Sequence, residues 1–174
     1  MNSALLVKQM LNNISSSNYY PIKRSFGHTL ENCNIDAVIS YSKIADSKNC
    51  SLFEQNIEFL VIGLCYISNK PNVSINDKTR INFETLLKRL VSTDKDKSKP
   101  RTGEVENFLK LRFDTNGYFN KKFASLVKKA NTMLNSNEIL NYEQLLDDLK
   151  NWNNGNNVKI RWAMTIANIE MEEN

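Results

Sequence analysis

The residues of this chain that could do chemistry are mainly lysines and arginines, and they are concentrated in the middle of the sequence. Residues 78–129 contain 14 basic and 6 acidic side chains, whereas residues 138–174 contain 3 basic and 7 acidic ones. Exposed like charges repel one another unless a polyanion neutralises them, so this distribution predicts a phosphate-binding surface. Ordinary solvated helix faces are the alternative. The candidate phosphate-binding residues are Lys23, Arg24, Lys78, Arg80, Lys110, Arg112, Lys121, Lys122, Lys128 and Lys129.

The strongest pattern among these candidates is formed by two lysine pairs, Lys121 with Lys122 and Lys128 with Lys129. Apolar residues recur at helical spacing over residues 119–134, which predicts a helix there. The two pairs are seven residues apart, and at about 100° per residue they return to within about 20° of the same direction. The sequence therefore predicts a stripe of four lysines along the outer face of one helix.

Catalytic chemistry has little support in the sequence. His28 is the only histidine, and no nucleophile or base motif surrounds it. Asp147 and Asp148 are adjacent on a predicted helix and would point about 100° apart, which is poor geometry for sharing a metal ion. The three cysteines are far apart, and no glycine-rich phosphate loop occurs. We therefore predict no catalytic residue, metal site or cofactor, with a metal-dependent nuclease as the enzymatic alternative.

The two tryptophans could in principle stack on nucleic-acid bases, as exposed aromatic side chains do in proteins that bind single strands. However, Trp152 and Trp162 follow the spacing of the aliphatic residues in two predicted helices, at residues 142–152 and 158–169. This periodicity favours a role in the hydrophobic core.

The elements that must position these side chains are predicted to be helices. The chain is 41% hydrophobic and 24% charged, and its 5 glycines and 3 prolines are too few for a many-stranded sandwich or barrel. We predict an all-α fold, a compact helical bundle forming one domain over residues 1–174. A segment without hydrophobic residues, 92–103, predicts a basic loop that joins two small lobes at about 1–92 and 103–174. Further helices are predicted at residues 4–14, 35–44, 52–68, 83–91 and 105–113.

The cellular location is predicted from the apolar stretches and the cysteines. The longest apolar stretch, residues 59–67, is about half of the ~20 residues that a membrane span requires. The odd number of cysteines and the absence of a recognisable signal peptide predict a cytoplasmic protein with reduced thiols and no membrane partner.

The C-terminal segment, residues 141–166, resembles the signature of the CasB family, the small subunit of the type I-E CRISPR Cascade surveillance complex. In that signature an aromatic residue opens a helix with the pattern Leu-x-x-Asp-Leu-x-x-Trp, and a basic residue and a tryptophan follow in the next helix. The matching residues are Leu145, Asp148, Leu149, Trp152, Val158, Arg161 and Trp162. The segments at residues 21–27, 82–90 and 108–114 follow the family's order and spacing, so the resemblance covers about residues 21–166.

This resemblance implies an all-helical, non-enzymatic, prokaryotic protein of antiviral defence. It implies nucleic-acid binding without sequence preference, which stabilises the complex and the R-loop with its displaced DNA strand. It also implies partners: the large subunit, the guide-RNA backbone subunits, the guide RNA, the target and displaced DNA strands, and a second copy of the chain in a dimer. The family's basic positions correspond to Lys23, Arg24, Arg112, Lys128 and Lys129.

Two further hypotheses stay open at this point. The chain could be the small subunit of another CRISPR effector type that acts on RNA. It could also be a helical protein adaptor whose basic face is only solvated and has no role with nucleic acid.

Overall fold

The structure is a computed structural model that describes residues 2–46, 50–94 and 100–172, with side chains up to residue 167. Most of the described residues are helical, and they form nine α-helices and two short strands. The prediction of a predominantly helical fold is confirmed. The helices are α1 (Ser3–Asn12), α2 (Tyr19–Arg24), α3 (Ile35–Ile44), α4 (Leu52–Ser68), α5 (Phe83–Val91), α6 (Pro100–Leu109), α7 (Tyr118–Ala130), α8 (Tyr142–Lys150) and α9 (Asn157–Glu172).

The helices whose ends carry clear sequence signals lie where the sequence predicts them. The predicted bounds of α3, α4 and α5 match the structure, and α4 begins where the Ser51 side chain accepts a hydrogen bond from the backbone N–H of Glu54. In the same way, the Asn141 side chain accepts from the backbone N–H of Gln144 and begins α8. Such caps satisfy backbone donors that the first turn of a helix leaves unpaired.

The two strands are an addition to the predicted all-helical architecture. β1 (Thr79–Ile81) pairs in parallel with β2 (Glu138–Leu140), so that Arg80 lies opposite Ile139. Segments of three residues are too short to show an alternating pattern, so sequence periodicity does not detect them. The two strands come from opposite halves of the chain, which gives them the long connection that parallel strands need.

The predicted loop at residues 92–103 is shorter in the structure, because α6 already begins at Pro100. The carboxylate of Asp94 accepts hydrogen bonds from the backbone N–H groups of Arg101 and Thr102 and from the Thr102 hydroxyl. This carboxylate therefore caps the first turn of α6, which makes residues 100–103 helical. Residues 95–99 of the predicted loop lie outside the described residues.

The helix predicted at residues 105–113 ends at Leu109, so Arg112 lies beyond it. The following backbone is hydrogen-bonded to side chains of the turn between α8 and α9. The Asn153 amide pairs with both the N–H and the C=O of Phe113 at 2.9 Å, and the indole N–H of Trp152 donates to the carbonyl of Leu111 at 2.8 Å. These tertiary hydrogen bonds hold the segment in a non-helical form that its helical spacing does not predict.

The core contains side chains from both halves of the chain. α8 packs against α1 and α4, and α9 packs against α5. Trp152 and Trp162 are fully buried, with their ring centroids 5.1 Å apart, which confirms the predicted core role. The division into lobes at about 1–92 and 103–174 stays a prediction. No helix in the described ranges combines the length and the apolar character needed to cross a membrane.

Candidate nucleic-acid interface

Helix α7 presents its four lysines to solvent, as the sequence predicts. Lys121, Lys122, Lys128 and Lys129 are all exposed. The opposite side of the helix is buried in the core, and its residues are Phe119, Phe123, Leu126, Val127 and Ala130. Burial of this apolar face fixes the rotation of the helix, so the lysines must point outward.

The first row of lysines, Lys121 and Lys128, lines a groove between α7 and the turn that follows α2. The turn approaches α7 closely at Gly27, where an added Cβ would lie 3.1 Å from the Cβ of Ala124. Gly27 also has a φ of +95°, a backbone conformation that residues with a side chain rarely adopt. Ala124 lies between the two lysines along the helix, so this close packing places both ammonium groups at one groove.

The composition of this groove differs from that of the hollow beside β1, the hollow between α6 and α7, and the hollow at Lys110, each of which is lined by a glutamate. The groove has a volume of about 630 Å³, and its side walls carry His28 and Thr29 opposite the two lysines. None of its lining residues is an aspartate or a glutamate. We call it the α2–α7 groove; its lining offers positive charge and hydrogen-bond donors, and the Asp114 carboxylate beside it is held by the backbone N–H groups of Asn116 and Gly117.

Lys23 and Arg24 lie close to the α2–α7 groove along the chain. They occupy the last turn of α2, and the chain reaches the wall of the groove at Phe26. Arg24 is exposed, and the ammonium of Lys23 lies 5.4 Å from the centroid of the Tyr19 ring. The N-terminal basic pair thus lies two to three residues before the groove wall in the chain, although about 100 residues separate it from Lys121 in the sequence.

The second row of lysines, Lys122 and Lys129, faces α6. The Lys129 ammonium forms an ion pair with Glu104 at 2.5 Å, and Lys122 lines a hollow to which Glu104 also contributes. The ammonium of Lys122 lies 5.6 Å from the centroid of the Tyr118 ring. The second row therefore has protein partners that the first row lacks in the α2–α7 groove.

Lys110 and Arg112 form a separate basic group with Lys159, which the sequence analysis did not select. Lys110 and Lys159 line one hollow beside Glu106, and the Lys159 ammonium donates to the carbonyl of Leu111 at 2.9 Å. Burial lowers the pKa of Lys159, and the positive charge of Arg112 lowers it further. Lys159 is a single lysine in an acidic segment, so only the contact between α9 and the segment after α6 identifies it.

Lys78 and Arg80 lie at a third place: Arg80 is in strand β1 and Lys78 directly precedes that strand. They line a hollow formed with α1 and α8, and Glu143 is part of the same lining. This hollow shares no lining residue with the α2–α7 groove or with the hollow at Lys110. Among the ten candidate residues the largest group is therefore the four lysines of α7, and the pairs Lys110 with Arg112 and Lys78 with Arg80 lie at other places.

Residues with other possible chemistry have structural partners. Asp147 is exposed and accepts a hydrogen bond from the Ser3 hydroxyl at 2.6 Å, whereas Asp148 is buried and accepts from the Trp162 indole N–H at 2.9 Å. The two carboxylates therefore point to different surroundings, as their adjacency predicts. Within residues 2–46, 50–94 and 100–167, no three His, Cys, Asp or Glu side chains are grouped so that they could hold a metal ion.

The structure is that of a predominantly helical protein with a lysine-rich exposed face on α7. The family model of the CRISPR-associated protein Cse2 matches residues 21–165, which is most of the chain. The chain therefore belongs to the Cse2 family, also called CasB, the small subunit of type I-E Cascade. The resemblance that the sequence analysis placed at residues 21–166 is confirmed. No curated protein and no solved structure matched the chain.

Proposed function

We propose that this chain is a non-catalytic Cascade subunit that binds nucleic acid without sequence preference and stabilises the R-loop, including its displaced DNA strand. The observation that carries the proposal is the α2–α7 groove, where Lys121 and Lys128 are exposed side by side without an acidic neighbour in the lining. Such a groove attracts phosphate groups because each bound phosphate releases counterions from the nucleic acid. Membership of the Cse2 family supports the same function.

Modest binding is sufficient for this function. The exchange of a DNA duplex for an RNA–DNA heteroduplex is nearly balanced in free energy, so a few backbone contacts to the opened strands shift the equilibrium. Lysine ammonium groups act as point charges on phosphates and carry no base-reading geometry. Sequence recognition is then left to the guide RNA.

The proposal includes partners in the assembled complex. These are the large subunit, the guide-RNA backbone subunits, the guide RNA, the target strand and a second copy of this chain in a dimer. Family membership supports a place in Cascade alongside other subunits. The RNA-targeting effector and the protein adaptor are the competing hypotheses, and the measurements below separate them.

The test compares the wild-type chain with the double variant Lys121→Glu and Lys128→Glu. With four or five phosphates neutralised, log affinity of the wild type for random single strands should fall with log salt at a slope of about −3. The double variant should bind steeply more weakly and should shorten the R-loop lifetime of assembled Cascade. Its fold should persist, because exposed charge changes usually alter stability by under about 0.5 kcal/mol each.

The matched control carries the same change of charge elsewhere, at Lys43 and Lys70, which are exposed and belong to none of the candidate groups. This control should retain affinity and R-loop lifetime much better than the groove variant. If the groove variant and the control behave alike and both resemble the wild type, the lysines are only solvated and the adaptor hypothesis is favoured. Binding restricted to RNA would favour the other effector type.

A further inference from the structure

We propose that Tyr118 is a stacking platform for a base of single-stranded nucleic acid, which rests on the proposed nucleic-acid function and deepens it. The Tyr118 ring is 53% exposed at the start of α7. It lines both the α2–α7 groove and the hollow between α6 and α7, so it stands on the ridge between the two lysine rows. This juxtaposition of an exposed aromatic ring and lysines on both sides carries the inference.

The lysines around the ring are placed for the phosphates on either side of a stacked base. Lys121 and Lys122 follow Tyr118 by three and four residues, which are the helical spacings that bring side chains to one surface. The Lys122 ammonium already lies 5.6 Å from the ring centroid. Proteins that bind single strands without sequence preference combine these two features, a positive groove and aromatic rings on which bases stack.

The backbone at Tyr118 is held in place before any ligand binds. The Asp114 carboxylate accepts hydrogen bonds from the backbone N–H groups of Asn116 and Gly117, both at 3.2 Å. The Asn116 side chain in turn accepts from the backbone N–H of Tyr118 at 3.1 Å. Because this backbone is already ordered, it loses little freedom when a base stacks on the ring, which favours binding.

The other aromatic residues with a claim to stacking are less suited. Trp152 and Trp162 are fully buried and have no free face. Tyr20 is 55% exposed, but its ring packs edge-on against Tyr19 and lines neither lysine hollow. Tyr20 also precedes two basic residues by three and four positions, but of the two exposed tyrosines it is Tyr118 that lines the hollows of both lysine rows of α7.

Stacking predicts a preference between nucleic-acid forms that charge alone does not produce. In a duplex the bases already stack on one another, so only single strands and frayed ends offer a free base face to Tyr118. Lysine contacts to phosphate, in contrast, act on single strands and duplexes alike. The loss of the ring should therefore weaken single-strand binding more than duplex binding.

The experiment measures affinities of the full chain for a short oligothymidine and for a blunt mixed-sequence duplex by fluorescence anisotropy. Tyr118→Ala should weaken oligothymidine binding about tenfold and leave duplex affinity nearly unchanged. Tyr118→Phe should bind like the wild type, because it keeps the aromatic face. Tyr118→Leu keeps apolar bulk without that face and should behave like the alanine variant. Tyr20→Ala is the matched control for an exposed tyrosine and should bind like the wild type.

The outcomes separate this inference from the proposed function. If the wild type binds oligothymidine and the variant Lys121→Glu with Lys128→Glu weakens it, but Tyr118→Ala does not, the stacking site is wrong and the electrostatic function stands. Equal losses on single strand and duplex, or full retention by Tyr118→Leu, would also overturn stacking. If the wild type binds no nucleic acid, both proposals fail together. Thermal melting of each variant shows that the fold is kept.

Discussion

The four lysines of α7 differ from two arginines, Arg89 and Arg161, in whether their charge is paired with a buried acid. All four α7 lysines are exposed, and only Lys129 among them forms an ion pair with an acid in the described part of the chain. Three acids, Glu84, Glu138 and Asp148, are buried and lie against arginines. Positive charge on lysine is thus largely available to a ligand, whereas positive charge on two arginines is committed to the fold.

The two arginines bind buried carboxylates through the geometry of their guanidinium groups. Arg89 binds Glu138 with both branches of its guanidinium, at 2.6 and 2.9 Å. Arg161 bridges Asp148 and Glu84, and the distance from its Nε to the nearer oxygen of Glu84 is 3.7 Å. A planar guanidinium matches a carboxylate in two places, while an ammonium is a compact and strongly hydrated charge. Net charge counts all of these side chains alike, although Arg89 and Arg161 are paired with buried acids and only one of the four α7 lysines has an ion pair within the described residues.

The largest expected effect is the destabilisation of the core by truncation of Trp162. Trp162→Ala should lower the free energy of unfolding by about 3 to 5 kcal/mol, because it removes a fully buried ring and a donor to buried Asp148. Chemical denaturation measures the loss. Ile160→Ala, an exposed position on the same helix, should stay within about 0.5 kcal/mol of the wild type. A stable Trp162→Ala protein that no longer binds nucleic acid would contradict the core assignment.

The two lysine rows of α7 are expected to contribute differently to the salt dependence of nucleic-acid binding. Lys121→Glu with Lys128→Glu should flatten the salt dependence on single strands by about 1.4, since each phosphate contact contributes about 0.7. Lys122→Glu with Lys129→Glu should flatten it by about 0.7, because Lys129 is already paired with Glu104. Salt titrations of both double variants make the measurement. Identical slopes would show that the four lysines act as one uniform stripe and that the ion pair does not matter.

A smaller effect is expected from the ion pair of Glu138 at acid pH. The hydrogen bonds from Arg89 and from the backbone N–H of Asn135 lower the pKa of Glu138 from 4.5 to about 2. A carboxyl group with a lowered pKa stabilises the fold above its ordinary pKa, and this stabilisation is lost as the pH falls toward 2. The stability advantage of the wild type over Glu138→Gln should therefore shrink over that pH range.

Denaturation of both proteins at several pH values tests this expectation. Glu106→Gln, at an exposed glutamate of α6, is the control for the loss of a carboxylate that makes no such contact with an arginine. An advantage over Glu138→Gln that stays constant from neutral to acid pH would mean that the Arg89 contact does not hold the carboxylate ionised.

Much of the fold could be predicted from local patterns. The helices α3, α4 and α5 have apolar periodicity and clear ends, and their bounds match the prediction. The exposure of the α7 lysines also follows from periodicity, because the apolar side of an amphipathic helix must be buried. By contrast, α2 is only six residues long, and no helix was predicted over its aromatic and basic residues.

The end of α6 and the strand pair could not be predicted locally. The predicted helix included Arg112, but α6 ends before it, because the Asn153 side chain, 40 residues beyond Phe113, takes the hydrogen-bonding groups of Phe113. The strand pair forms between residues 79–81 and 138–140, which are brought together only when the chain folds. Contacts across such distances depend on the whole fold, and local propensity contains no information about them.

The sequence by itself determined that the chain is helical, that its lysines lie on the outer side of α7 and that it resembles the CasB family. Only the tertiary structure decided which lysines share a groove. Lys128 and Lys129 are adjacent in the sequence, yet one lines the acid-free α2–α7 groove and the other is paired with Glu104. Adjacent residues on a helix point about 100° apart, so the elements packed on either side of α7 give them different partners. Those neighbours are set by the close approach of Gly27 to Ala124 and by the position of α6.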